Sequence, residues 1–233
     1  MLSDKKVLVT GATGQIARPI AERLAQKNEV WCAARFSDPS LKQELERLGI
    51  RTVQWDLAAH DNSNLPADFT HVMHAAAFML TEDHEAAIKI NAEGTGLLMA
   101  HCKRADAFVF VSSFIVYRSQ EPRHEYKEGD PLGNLTAYAT GYPISKIATE
   151  GAVRAAARIL DLPVTIARMN IGYGVPGHGG VPVQYFEMMQ RGIPIPIPRG
   201  RGNYGSPISE DDIAAQGAGP IFDIASVPAT IVN

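Results

Sequence analysis

The feature of this sequence that most constrains its fold is a regular alternation of short apolar runs with amphipathic stretches. Runs typical of buried β-strands lie at 5–10, 29–34, 51–55, 71–76, 107–113 and 164–168. Helical spacing of apolar residues fills several of the intervals, at 14–27, 41–50, about 83–103 and about 137–160. Strands that alternate with helices form parallel sheets through right-handed crossovers. The sequence therefore predicts an α/β fold with a doubly wound (Rossmann) parallel sheet.

The composition changes from about residue 170, where glycine and proline become dense. This part predicts loops around one short helix at about 181–191, with no parallel-sheet pattern. A short helix near Glu210–Gly217 and a strand-like "ATIVN" follow. With 233 residues the chain is long enough for one domain with a sizeable core. We expect a single domain over 1–233, in which 170–207 forms an inserted loop or cap segment at the ligand site.

A glycine-rich turn links the first strand to the first helix. Gly11, Gly14 and Ala17 form a G-x-x-G-x-x-A pattern at this junction. The first glycine permits a tight turn, the second lets the backbone approach a pyrophosphate, and the third small residue lets the helix pack on the strand. The free N–H groups of the helix N-terminus favour phosphate binding. This context predicts dinucleotide binding, and the alternative is a merely structural turn.

A tyrosine and a lysine stand four residues apart in "GYPISKIATE". That spacing places Tyr142 and Lys146 on one face of a helix. A nearby ammonium stabilises a phenolate and lowers the phenol's pKa, and the same lysine can hydrogen-bond a ribose. Ser112 and Ser113 end a predicted strand, where ligands bind in open α/β sheets. The alternative is a solvated lysine beside a half-buried tyrosine, with ordinary loop serines.

The overall composition excludes several classes of function. A formal charge of −3 argues against a nucleic-acid or membrane-surface protein, and no apolar run has the length of a membrane span. The start of the chain has no signal-peptide pattern, and Cys32 and Cys102 lie in apolar surroundings, so we expect buried thiols in a cytoplasmic protein. The histidines are scattered without metal-ligand spacing, and we predict no metal.

These motifs together resemble the short-chain dehydrogenase/reductase superfamily, in its extended branch, the NAD-dependent epimerase/dehydratase family. The matching segments are "TGATGQIA" (10–17), "DL" (56–57), "HAAA" (74–77), "INAEGTGLL" (90–98), "VFVSSFIVY" (109–117), "YPISK" (142–146), "ARMNIGYG" (167–174) and "EDDIA" (210–214). The resemblance implies an enzyme in which Tyr142 is the acid/base, Lys146 tunes it, and Ser113 is the catalytic serine. It also implies a homodimer through the helices at about 83–103 and 137–160.

The glycine turn and the resemblance together place the cofactor contacts. They are Gly11, Thr13, Gly14, Gln15, Ile16, Arg35, Asp56, Leu57, Ala75, Ala76, Ala77, Asn91, Ser112, Tyr142, Lys146 and Met169. Members that use NAD carry an acid at the end of the second strand, where this chain has Arg35. A guanidinium cannot accept a bond from a ribose 2′-OH, but it suits a 2′-phosphate. We therefore expect NADP as the cofactor, with NAD as the alternative.

The chain departs from the family pattern at positions that bind nucleotide sugars. Arg168 and Gly174 match, but Ile171 stands where the family has an asparagine, and Gly205 stands where it has a diphosphate-binding arginine. Family members commonly continue further, so we also expect an abbreviated C-terminal cap. The favoured hypothesis is an NAD(P)-dependent oxidoreductase acting on a small-molecule carbinol or carbonyl. The alternatives are a nucleotide-sugar 4-epimerase or dehydratase, and a non-catalytic dinucleotide-binding module.

Overall fold

The protein is described from a computed structural model, which covers residues 2–79, 83–121, 124–133, 141–170, 172–174, 181–194, 208–218 and 230–232. The strands are β1 (Lys6–Thr10), β2 (Glu29–Ala34), β3 (Arg51–Gln54), β4 (His71–His74), β5 (Ala107–Ser113), β6 (Val164–Met169), β7 (Gly172–Tyr173), β8 (Ile208–Ser209) and β9 (Thr230–Val232). The helices are α1 (Ala17–Leu24), α2 (Pro39–Arg47), α3 (His84–Ile88), α4 (Gly94–His101), α5 (Gly141–Leu160), α6 (Val181–Gln190) and α7 (Glu210–Gly217).

Seven strands form one parallel sheet in the order β3-β2-β1-β4-β5-β6-β9. The chain starts in the middle of the sheet, moves to one edge through β2 and β3, and then returns past β1 to build the other half. This reversal between β1 and β4 is the switch point of a doubly wound sheet, next to which ligands bind at the carboxyl ends of strands. The predicted fold class is confirmed.

Alternation along the central strands divides the core between the two faces of the sheet. Val109 and Val111 of β5 pack in one cluster, which includes residues of α1, α2 and α7. Phe108 and Phe110 pack in the other, which includes residues of α4 and α5. Each of these two phenylalanines is at most 1% exposed, and burial of such a side chain contributes about 1.5–3 kcal/mol. The continuous apolar run of β5 follows from this two-sided burial.

The structure differs from the sequence prediction at several element boundaries. The helix predicted at about 83–103 consists of α3, a π-helical turn at Lys89–Glu93, and α4. β7 lies in the part predicted to lack a parallel-sheet pattern, and it pairs in parallel with β8, which follows that part. β9 lies in the segment predicted to be strand-like, and it joins the main sheet beside β6. Residues 175–180 and 195–207 of the expected cap segment lie outside the described residues, so a single domain with a cap at 170–207 stays a prediction.

The cysteines and the helices can be compared with what the composition predicts. Both cysteines are buried, as predicted, and burial raises the pKa of the Cys102 thiol to about 12. Among the residues that the structure describes, no helix combines the length and the apolarity that a bilayer span requires.

Candidate functional site

A cleft of about 670 Å³ lies at the carboxyl ends of the central strands. Sixteen residues that the sequence predicts as catalytic or cofactor-binding line this cleft together. They are Gly11, Thr13, Gly14, Gln15, Ile16, Arg35, Asp56, Leu57, Ala75, Ala76, Ala77, Ser112, Ser113, Tyr142, Lys146 and Met169. The volume lies within the range of small-molecule and cofactor pockets.

The glycine turn closes tightly against the end of the neighbouring strand. Gly11 has φ +70°, a left-handed conformation that glycine adopts without strain. A Cβ at this position would lie 2.8 Å from the backbone nitrogen of Ala76, too close for any other residue. The Gly14 N–H donates to the Gly11 carbonyl at 2.9 Å, and α1 begins three residues later. The turn therefore leaves room for a ligand beside a helix N-terminus, where phosphates bind.

A buried donor in this turn points to a polar ligand. The Nε2 atom of Gln15 is buried, and within the described part of the chain it has no hydrogen-bond partner. An amide N–H left without an acceptor costs about 1–3 kcal/mol, which a bound oxygen would recover. Gln15 lines the cleft next to Gly14. The residues present therefore fit a dinucleotide, whose phosphate and ribose oxygens are acceptors.

Tyr142, Lys146 and Ser113 line the same cleft. Tyr142 and Lys146 lie in the first two turns of α5, and Ser113 ends β5. The Ser113 hydroxyl lies near the Tyr142 phenol and favours its ionised form. The Lys146 ammonium donates to the Val111 carbonyl at 2.8 Å and lies 5.7 Å from the centre of the Tyr142 ring. The arrangement brings a phenol, a hydroxyl and an amine together in one cleft.

Burial dominates the ionisation of this pair. It raises the pKa of the Tyr142 phenol to about 12, although the nearby Ser113 hydroxyl opposes the change. Burial also lowers the pKa of the Lys146 ammonium to about 7, and the charge of Glu150 opposes that change. The sequence predicts that Lys146 lowers the pKa of Tyr142; in the structure desolvation outweighs any such effect. The phenol therefore stays protonated at neutral pH.

A buried ion pair supports the strand ends beneath this site. Arg168 on β6 donates to both carboxylate oxygens of Glu150 on α5, at 2.9 and 2.7 Å. Ser112 donates to the same carboxylate at 2.7 Å. Arg168 also donates to the Tyr117 hydroxyl and to the Glu128 carbonyl, at 2.8 and 2.9 Å. The family motif pointed to Arg168, but the sequence analysis missed Glu150, whose only signal is its place one turn after Lys146.

Asn91 lies behind the wall of the cleft rather than in its lining. Its side-chain oxygen accepts from the Phe78 N–H at 2.8 Å, and its nitrogen donates to the Phe78 carbonyl and to Ser145, both at 2.9 Å. Ser145 in turn donates to the Tyr142 carbonyl at 2.8 Å. Asn91 therefore links the cleft wall after β4 to the helix that carries Tyr142. It was predicted as a cofactor contact, and the structure places it one layer away.

A second buried polar group holds the end of β4. His74 contacts the Thr10 hydroxyl through Nδ1 at 2.7 Å and the Thr95 hydroxyl through Nε2 at 2.9 Å. The Ala76 N–H donates to the same Thr10 hydroxyl at 3.2 Å. Burial, with a contribution from the charge of Lys146, lowers the pKa of His74 to about 3, so the imidazole is neutral at physiological pH. These bonds fix the segment after β4 beside the glycine turn.

Arg35 lies where the cleft opens into a second cavity of about 400 Å³. This cavity shares Arg35, Trp55 and Asp56 with the cleft and adds Ser37. One carboxylate oxygen of Asp56 accepts a hydrogen bond from the Ala58 N–H at 3.0 Å, so this oxygen already has a partner within the protein. Trp55, Phe78 and Met79 also line the cleft and were not predicted. Each lies within two residues of a motif that follows a strand, and this closeness is the signal that could have identified it.

The sequence model of the NAD dependent epimerase/dehydratase family matches residues 7–197. The match covers most of the chain, from the glycine turn through Tyr142 and Lys146. The chain therefore belongs to the NAD dependent epimerase/dehydratase family. This confirms the resemblance, and it confirms at the level of the family the prediction of an NAD-dependent enzyme.

Individual proteins are similar to this chain in sequence or in fold. Methionine adenosyltransferase 2 subunit beta from Bos taurus is 27% identical over 175 residues, which are 70% of this chain and 48% of that protein. The chain thus spans about half the length of this curated relative. UDP-glucuronic acid 4-epimerase from Bacillus cereus, solved in complex with NAD, is 21% identical with a TM-score of 0.80, over 98% of this chain and 77% of its own. Pal from Bacillus thuringiensis is 27% identical with a TM-score of 0.74, over 91% and 72%.

Proposed function

We propose that the protein is an NAD(P)-dependent oxidoreductase that moves a hydride between nicotinamide C4 and a carbinol or carbonyl carbon of a small molecule. The observation that carries this proposal is the convergence of Ser113, Tyr142 and Lys146 in the same cleft as the glycine turn. A bound nicotinamide supplies the carbon that gives or takes the hydride. The chain supplies the proton, the orientation and the charge around the reacting atoms.

Each polar group of the triad has a separate part in this chemistry. Tyr142 exchanges a proton with the substrate oxygen, and Ser113 orients that oxygen by a hydrogen bond. Lys146 donates to a ribose hydroxyl and stabilises the phenolate when Tyr142 has given up its proton. Because burial keeps the phenol protonated at neutral pH, Tyr142 is ready to give its proton to a carbonyl oxygen. This ionisation favours reduction of a carbonyl as the net reaction.

The cofactor that the cleft favours is NADP. Arg35 lines both cavities, is exposed at the end of β2 and offers a planar set of donors to a 2′-phosphate. Ser37 supplies a further donor in the second cavity. Gln15 and the glycine turn would hold the pyrophosphate region, and Ala75 and Ala76 leave space beside it.

A nucleotide-sugar 4-epimerase or dehydratase is the second candidate. The description of the family favours it, and so does a solved relative named as a UDP-glucuronic acid 4-epimerase. Such an enzyme oxidises its substrate transiently and returns the hydride. Ser113, Tyr142 and Lys146 could carry out the proton transfers of that reaction as well. The positions that argue against a nucleotide sugar, Ile171 and Gly205, lie outside the described residues, and the argument from them rests on sequence alone.

The two candidates differ in how they hold the nucleotide. The purified protein is denatured before any cofactor is added, and the released nucleotide is identified and quantified. Near-stoichiometric NAD would support the epimerase or dehydratase and contradict the proposed oxidoreductase. A site without nucleotide that then consumes NADPH with members of a carbonyl panel supports the oxidoreductase. Turnover of UDP-sugars with no net change in nicotinamide absorbance again supports the second candidate.

Substitution of the acid tests the mechanism in either case. We expect Tyr142→Phe to lower turnover by about 10²–10⁴-fold, because it removes the proton donor, and to leave NADPH binding within about twofold. Tyr185→Phe, the same change on the exposed face of α6, is the control and keeps full turnover. Turnover that survives in Tyr142→Phe would show that another group moves the proton. Wild-type protein that binds nucleotide but turns over neither the carbonyls nor the UDP-sugars would support the third hypothesis, a non-catalytic dinucleotide-binding module; the bovine relative is named as a subunit of an enzyme.

A further inference from the structure

Helix α5 carries a buried carboxylate one turn beyond Lys146 and two turns beyond Tyr142. The Glu150 side chain is 2% exposed, and residues four apart on a helix lie on the same face. It accepts from Ser112 at the end of β5, from Arg168 on β6 and, at 3.4 Å, from the partly exposed Arg154. Burial alone would raise the pKa of Glu150, but the hydrogen bonds from Arg168 and Ser112 hold it below its usual value. Glu150 is therefore ionised.

Lys146 has few other sources of stabilisation for its charge. It is 2% exposed, its ammonium donates to the Val111 carbonyl, and it lies 4.7 Å from the centre of the Phe110 ring. From β4 it faces the neutral His74. Among the described residues, the acidic group whose charge favours the ionised form of Lys146 is Glu150. The packed strand β5 contributes a carbonyl and a ring but no charge near the ammonium.

We propose that Glu150 is a positioning residue of the Tyr142–Lys146 pair: its fixed carboxylate supplies negative charge that favours the ionised form of Lys146, and it ties α5 to the strand end that carries Ser112. The geometry supports both parts of this role. Ser112 and Arg168 hold the carboxylate in place from two neighbouring strands, which are paired at these two residues. The role in catalysis rests on the proposed function, whereas the effect on Lys146 does not.

The pKa of Lys146 measures the electrostatic part directly. The protein is labelled with ¹³C-lysine, and the side-chain signal of Lys146 is identified by its loss in Lys146→Met and followed against pH. We expect the midpoint to fall by about one pH unit in Glu150→Gln, because a buried opposite charge is removed. Glu93→Gln makes the same chemical change at an exposed position of the π-helical turn that packs against α5, and it leaves the midpoint in place.

A second variant guards against loss of the fold. Glu150→Gln leaves Arg168 buried without its anion, which is strongly destabilising, whereas replacement of both charges by neutral groups is tolerated. Glu150→Gln/Arg168→Met is therefore titrated as well, and we expect its Lys146 midpoint to fall too. A midpoint within about 0.3 pH unit of the wild type in the folded variants would overturn the proposal.

Binding of NADPH against pH adds the functional readout. If Glu150 favours the ionised form of Lys146, the pH at which affinity declines moves down with the Lys146 midpoint. A purely structural role would weaken binding equally at every pH, and that result would also overturn the proposal. The lysine titration needs neither nucleotide nor substrate, so its outcome is independent of whether the proposed reaction is correct. The Tyr142→Phe turnover assay tests the reaction without reference to Glu150.

Discussion

Arg35 and Asp56 set opposite electrostatic preferences within the same part of the cleft. Arg35 favours a 2′-phosphate, whereas the Asp56 carboxylate repels one, although the Ala58 N–H stabilises it in place. The Arg35 guanidinium is exposed, and none of the ion pairs among the described residues involves it, so its charge remains available to a ligand. We expect Arg35→Asp to reverse the preference, with NADPH binding weakened about 10-fold or more and NADH binding improved or unchanged. Fluorescence titration with both nucleotides measures the ratio.

A matched substitution separates local contact from overall charge. Arg47 is exposed at the end of α2 and outside both cavities, so Arg47→Asp changes the net charge by the same amount. We expect it to leave the ratio of NADPH to NADH affinity within about twofold. If both variants shift the ratio of NADPH to NADH affinity equally, the shift is caused by the change in net charge and not by a local contact of Arg35. If Arg35→Asp leaves the ratio unchanged, the assignment of Arg35 to the 2′-phosphate is wrong.

At the scale of elements, the helix after β4 shows what the sequence could and could not predict. The spacing of apolar residues predicted its position correctly, because that pattern depends only on which face is buried. The spacing does not show the π-helical turn at Lys89–Glu93, since a single wider turn preserves the pattern on either side. The turn includes Asn91, whose amide bonds both backbone groups of Phe78. Long-range partners of this kind are set by tertiary packing.

Removal of the Asn91 amide tests this link between elements. Asn91→Ala leaves the half-buried backbone groups of Phe78 and the buried hydroxyl of Ser145 without these partners. We expect the free energy of unfolding to fall by about 1–3 kcal/mol, measured by urea denaturation. Asn64→Ala removes one exposed hydrogen bond, to the Gln54 carbonyl, and should cost less than about 0.5 kcal/mol. Equal losses in the two variants would mean that Asn91 is not a structural link.

At the scale of the whole molecule, the predictable part of the site is the part encoded by short local motifs at a strand end or at the start of a helix. The glycine turn, Ser113, Tyr142 and Lys146 were found because local spacing and the direction of parallel strands bring them together. The Glu150–Arg168 pair joins residues 18 positions apart on different elements, and no local pattern shows that both are buried. The strand order required the structure, since alternation alone does not say on which side of β1 each crossover falls.

An exposed apolar stripe on α5 supports the homodimer that the family resemblance implies. Gly151, Ala155 and Ile159 are exposed at four-residue intervals, and Ile159 is 81% exposed. Leu97, which is 46% exposed, lies on α4, the helix that packs against α5. Four-residue spacing places the three α5 residues along one side of the helix, where small residues allow a second helix to approach. We propose that two copies of the chain associate through α4 and α5.

Light scattering after gel filtration tests this association, because a monomer has a mass of 25.2 kDa. We expect the wild type at twice that mass, and Ile159→Lys at the monomer mass because a charge in an apolar contact is costly. Leu48→Lys, the same kind of change at a 53% exposed residue beside α2, should remain a dimer. A wild-type monomer would contradict the proposal outright. A dimer that persists in both Ile159→Lys and Ala155→Arg would mean that the two copies associate through another face, and that the exposed apolar residues of α5 are not part of the interface.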